Sequence, residues 1–184
     1  MRTPPKLLIV VLAATAATSA CRRGGGAPPP QPQPQPPEPF PPPARVYYDN
    51  GGGIQDSLRM VVKDAETLNA VWERATSRQA SPPPAPTVDF GREMLVVVGA
   101  GRMTPDDQIR VDSAYVTREM DSAGRMEEML NVLVRTIAGC RRFNADAYPL
   151  DIVRMRRFDG PIRFVERSAQ TEGCRNADPP EPDR

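Results

Sequence analysis

Residues 94–98 read Met94-Leu95-Val96-Val97-Val98, five apolar side chains in succession. A strand with one wet face alternates apolar and polar residues; a continuous apolar run suits a strand buried on both faces. Gly99-Ala100-Gly101 ends the run, and Val88-Asp89-Phe90 leads into it. Phe90 is expected to bury and fix the start of the strand. Asp89, Arg92 and Glu93 are read as local caps and pairs, the alternative being a binding epitope. A compact sheet or a sandwich with a helix packed on one face is the arrangement expected around it.

Upstream, Asp64 reads as an N-cap, and Leu68, Val71, Trp72 and Ala75 follow at helical spacing, giving one apolar stripe. Trp72 lies on that stripe and is expected to anchor the core, with a ligand-stacking role as the alternative. Ser81-Pro82-Pro83-Pro84-Ala85-Pro86 breaks the chain after this helix. Asp49-Asn50-Gly51-Gly52-Gly53 is a turn between short strands at Val46–Tyr48 and Leu58–Val62. Downstream, Gln108–Val116 alternates through Ile109, Val111 and Ser113. Asp121-Ser122-Ala123-Gly124 turns into Met129–Ile137. Leu150–Met155 and Ile162–Val165 are separated by Asp159-Gly160-Pro161. The expected fold is α+β, mainly antiparallel, about seven short strands with one amphipathic helix packed on the sheet.

This domain is placed at 44–174. In front of it, residues 1–20 read as a signal peptide: Arg2 and Lys6 precede the apolar Leu7–Leu12, too short a run to span about 30 Å of hydrocarbon. Thr18-Ser19-Ala20 sets small residues before Cys21, as at a bacterial lipoprotein processing site, although Thr18 stands where Leu is usual. Cys21 is expected to take the lipid; simple secretion is the alternative. Arg22 after the Cys, where Asp commonly marks inner-membrane retention, leans the assignment towards the outer membrane. Residues 21–43 form the lipidated Cys and a Pro-rich tether. Its Pro/Gln run predicts polyproline II, about 3.1 Å per residue and roughly 50 Å in reach. Distance from the membrane is its simplest role, docking of an SH3-like partner the sharper one. Residues 175–184 are Pro- and acid-rich and are expected to be disordered.

The chain of 184 residues carries 24 Lys+Arg, 23 Asp+Glu, 3 Cys and no His. Loss of the leader removes Arg2 and Lys6 and leaves a net charge of −1, with no electrostatic footprint for nucleic acid. Without His the usual triads, His-metal clusters and imidazole bases are excluded, and no cofactor or metal site is indicated. With Cys21 lipidated, Cys140 and Cys174 remain, and in an oxidising compartment they are expected to pair. A nucleophilic Cys140 would lack a base. Asp106-Asp107 and Glu127-Glu128 read as solvated loop acids, not as the converging carboxylates of a hydrolase. Gly51-Gly52-Gly53 lacks the Lys-Ser/Thr of a phosphate loop. The most basic stretch is Arg141-Arg142 with Arg154, Arg156 and Arg157. Arg154 and Arg156 share one face of a strand. They are read as a solvated sheet face or as a site for an acidic partner or lipid headgroup.

Over Val61–Glu166 the chain resembles the PrcB family, named for a lipoprotein subunit of a bacterial surface protease complex. The resemblance rests on four segments. They are Leu68-Asn69-Ala70-Val71-Trp72; Pro84-Ala85-Pro86-Thr87-Val88-Asp89-Phe90-Gly91-Arg92-Glu93-Met94; Tyr148–Arg157; and Pro161–Val165. Met103-Thr104-Pro105-Asp106-Asp107-Gln108 departs from the Pro-Thr-Gly-Gly-Tyr often found there in the family. The resemblance implies a non-enzymatic accessory subunit with a protein partner, a protease among the candidates. A binding module for a small ligand or a cell-wall polymer is the alternative.

Overall fold

The computed structural model describes residues 36–141, 143–172 and 174. The expected leader, Cys21, most of the tether, Arg142 and the tail 175–184 lie outside the described residues. Among the described residues no helix is long and apolar enough to cross a membrane.

The described residues form an α+β fold of three layers. The strands, in chain order, are β1 (Glu38–Pro39), β2 (Ala44–Asp49), β3 (Ser57–Val62), β4 (Glu93–Ala100), β5 (Gln108–Met120), β6 (Met126–Ala138), β7 (Leu150–Arg156) and β8 (Ile162–Gln170); the helix α1 spans Ala65–Thr76. An inner sheet of order β2-β7-β4-β3 lies between α1 and an outer sheet of order β1-β5-β6-β8. Every pairing is antiparallel except β6–β8.

The apolar run 94–98 has the position its pattern predicts. Met94, Val96 and Val98 point into the core between the sheets, Leu95 and Val97 into the core under the helix, and all five are fully buried. β7 repeats this division with Val153 and Met155 against Leu150 and Ile152. Each such side chain contributes about 1.5–3 kcal/mol through burial. The helix begins where Asp64 accepts from the Thr67 backbone N–H at 2.7 Å and from the Thr67 hydroxyl at 2.9 Å. These bonds hold the Asp64 carboxyl below its usual pKa. Gly53 presses on the other end of α1, where a Cβ would lie 2.2 Å from the Ala75 carbonyl oxygen.

In β5 the alternation does not run through Ser113, as the sequence reading expected. A bulge between Val111 and Ser113 resets the register, so Ala114 enters the core and Ser113 is exposed. The same bulge is bound across the layers. Asp151, on the inner strand β7, is 0 % exposed. It accepts Arg45 Nε at 2.7 Å, Arg45 Nη2 at 3.2 Å and the Val111 backbone N–H at 2.9 Å. One carboxylate thus ties β2, β7 and the bulge of β5 together. Its hydrogen bond raises the pKa of Arg45.

Two boundaries differ from the expectation. Glu38–Pro39, placed in the tether, pairs with β5 at Val116 and Tyr115, and Phe40 is buried between the sheets at 6 % exposure. A proline lacks the donor for a central strand but is accommodated on an edge, which is where β1 lies. The last strand reaches Gln170, five residues beyond its expected end. Parallel pairing with β6 from Leu130 to Ala138 satisfies its backbone, so the polar run Glu166–Gln170 needs no apolar pattern.

That pairing also explains the disulfide. Cys140 and Cys174 are bonded, with Cα atoms 5.1 Å apart. Bringing Cys174 to Cys140 requires no crossing over other strands. β6 and β8 end side by side at Ala138 and Gln170, and each cysteine follows its own strand end. The bond closes a separation of 34 residues. The chain-entropy relation gives about 3–4 kcal/mol for such a loop. Paired Cys140→Ser and Cys174→Ser substitutions are expected to lower the unfolding free energy by that amount in urea titrations. An unmoved midpoint would mean that the β6–β8 ladder holds this end without the bond.

Candidate interaction face

The two sheets differ in what covers them. The inner sheet is closed by α1 on one side and by the outer sheet on the other. The far face of the outer sheet carries neither the helix nor a strand among the described elements. The register places its side chains in rows that run across β5, β6 and β8. Tyr115, Asn131 and Arg163 form one row, Ser113, Leu133 and Val165 the next. Arg110, Arg135 and Arg167 follow, then Gln108, Ile137 and Ala169.

One end of this face is sealed by an ion pair. Arg163 reaches across β6 to Glu119, with both guanidinium–carboxylate contacts at 2.8 Å. The bond to Arg163 lowers the Glu119 pKa, and that to Glu119 raises the Arg163 pKa. Nearby, Asn131 is 2 % exposed and donates to the Thr117 hydroxyl at 2.8 Å. Further along, the three arginines of one row are all exposed. Arg135 pairs with Asp112, the bulge residue, and Arg110 donates to Gln108 Oε1 at 2.5 Å. The Arg167 side chain has no hydrogen-bond or ion-pair partner among the described residues.

The basic residues singled out from the sequence sit elsewhere, on the β7 end of the inner sheet. Arg154 donates to the Thr87 carbonyl at 2.9 Å and lies 3.7 Å from Glu93. Arg157 donates to the Phe90 carbonyl at 2.6 Å and to Asp159 at 2.7 Å. Arg156 lies over the Phe40 ring, 4.7 Å from its centroid. Two of the three therefore fasten the segment 87–93, whose own turn is closed by Asp89 accepting from Gly91 at 3.0 Å. Phe90 packs, half-buried, against the helix-side core. Arg141 is on a different loop, with its backbone N–H bonded to Asp106 at 2.9 Å.

The paired acids are not uniformly solvated loop residues. Asp107 is 7 % exposed and accepts the backbone N–H groups of Thr104 at 3.0 Å and Gly139 at 2.8 Å. With Asp106 it fixes the loop that carries Cys140. Glu127 and Glu128 are exposed on β6, and Glu128 pairs with Arg118 at 3.1 Å. Beside the Asp107 loop an open cleft of about 770 Å³ is lined by residues including Arg102, Thr104, Phe143, Asn144 and Asp146. The buried Thr104 hydroxyl oxygen has no hydrogen-bond partner among the described residues. No group of three or more His, Cys, Asp or Glu among the described residues could hold a metal ion.

Compared with known protein families, curated proteins and solved structures, the chain matches none. The arginine row was not visible to sequence reasoning. Its members are far apart in the chain, and only the strand register joins them.

Proposed function

We propose that this chain is a non-enzymatic, lipid-anchored protein of the cell envelope. In this reading it is an accessory subunit that holds a protein partner, a surface protease among the candidates. The observation that supports the reading is the face of the outer sheet that no described helix or strand covers. It mixes half-buried Tyr115, Leu133, Val165 and Ile137 with exposed arginines, a composition suited to protein contact. The export signal at 1–20, Cys21 and the tether supply the anchored setting, and the resemblance to the PrcB family supplies the class of partner. The first test is fractionation. Wild-type protein is expected with detergent-soluble membrane lipoproteins and Cys21→Ala in the soluble fraction. Mature wild-type protein found soluble and unlipidated would defeat the anchor. Co-purification with a protease through the tether-deleted domain would then name the partner.

A second reading, a binding module for a small ligand or cell-wall polymer, is favoured by the cleft at Arg102, Thr104, Asn144 and Asp146. Its volume falls in the range of small-molecule sites. Equilibrium dialysis of the domain against envelope glycans separates the two readings.

A further inference from the structure

We propose that the stripe Arg110–Arg135–Arg167 docks an acidic amphipathic helix of a partner protein. This rests on the accessory-subunit reading above and names the surface and the chemistry that reading leaves open. The Cα pairings Arg110–Arg135 and Arg135–Arg167 set three guanidinium groups side by side on neighbouring strands. Like charges directly opposite each other destabilise a sheet. Among the described residues only Asp112 supplies the row a carboxylate, and it pairs with the middle arginine. The two ends, Arg110 and Arg167, have no carboxylate partner among the described residues. Arginine suits the role, because its planar fork takes a carboxylate through two parallel hydrogen bonds.

The spacing selects the form of the partner. Arg110 and Arg167 lie two strands apart, about 10 Å at the usual strand separation. On a helix, residues i and i+7 share a face and are about 10.5 Å apart. On an extended strand the same-face spacings are about 7 and 14 Å, and neither fits. The stripe also has apolar neighbours on both sides, Leu133 and Val165 in one row, Ile137 and Ala169 in the other. An amphipathic helix lying across the strands covers these rows while its carboxylates meet the arginines. A hydrated polyanion would leave the apolar rows bare, which favours a polypeptide.

The test uses the full chain in its own cell envelope with p-benzoylphenylalanine at Val165, beside the stripe, or at Glu73, exposed on the helix layer. Irradiation is expected to join Val165 to an acidic segment of another protein. Arg167→Glu should reduce that adduct at least tenfold, whereas Arg78→Glu, the same charge change at an exposed position after α1, should not. The Arg167 side chain has no partner among the described residues to lose, so its variant should keep the wild-type melting temperature. Adducts at Val165 to a polymer, a lipid or a segment without acids overturn the proposal, as does an adduct indifferent to Arg167→Glu. Protein adducts at Glu73 alone overturn the stripe while leaving the accessory-subunit reading standing. Adducts at neither position defeat both.

Discussion

Asp151→Ala is expected to destabilise the domain by about 2–3 kcal/mol, as leaving a buried donor unsatisfied does. The substitution strands a buried donor and releases a half-exposed cation. The Val111 N–H, freed from regular pairing at the bulge, is buried and loses its 2.9 Å acceptor. Arg45 loses both of its contacts, although its side chain is 45 % exposed and regains water. Asp151→Asn separates the contributions, since an amide oxygen still accepts from Val111 while the charge is gone. It should cost less than the alanine variant. Urea denaturation of the three proteins checks this. A loss under 1 kcal/mol for the alanine variant would mean that the two sheets are held by side-chain packing alone.

Trp72→Ala should cost about 3–5 kcal/mol, the usual range for emptying a large core position. Trp72 is 7 % exposed, its ring centroid lies 5.0 Å from that of Tyr47, and its Nε1–H donates to the Pro83 carbonyl at 2.9 Å. The residue thus fills the helix-side core and pins the proline segment that follows the helix. Trp72→Phe keeps most of the ring and deletes the hydrogen bond, for a loss of about 1 kcal/mol. Far-UV circular dichroism is the suitable readout, because this is the only tryptophan. A midpoint that barely moves in the alanine variant would return Trp72 to consideration as a ligand-stacking residue.

Local patterns carried the elements whose signals are local. The unbroken 94–98 run identified a strand covered on both faces, and a cap with residues at helical spacing identified α1. Whether the strands form one sheet or two packed sheets did not follow from either signal; the register decides it. Less legible were features set by register. The bulge at Asp112 turns Ala114 inward against the alternation, and β8 continues through polar residues because its neighbour supplies the hydrogen bonds. Asp151 did leave a trace, a lone acid among Leu150, Ile152 and Val153, where an unpaired charge would be costly. The arginine row left none, since a single arginine on a strand looks the same whether its neighbours across the ladder are arginines or acids. The basic stretch visible in the sequence, 154–157, uses Arg154 and Arg157 donors on the domain's own carbonyls.

The way the chain enters the fold has a mechanical consequence. Among the described residues, tension arriving from the N-terminal side first meets the pairing of Glu38 and Pro39 with β5 and the Phe40 N–H bonded to the Ala114 carbonyl at 3.1 Å. Those few bonds form a weak fuse. Behind them Phe40 sits as a plug, edge-on to Phe158 at 6.2 Å and capped by Arg156. After it comes β2, anchored through Arg45 to Asp151. Under a pull, β1 would yield and release a few residues while the plug and the ion pair keep the sandwich shut. The fold is arranged to give slack before it gives way.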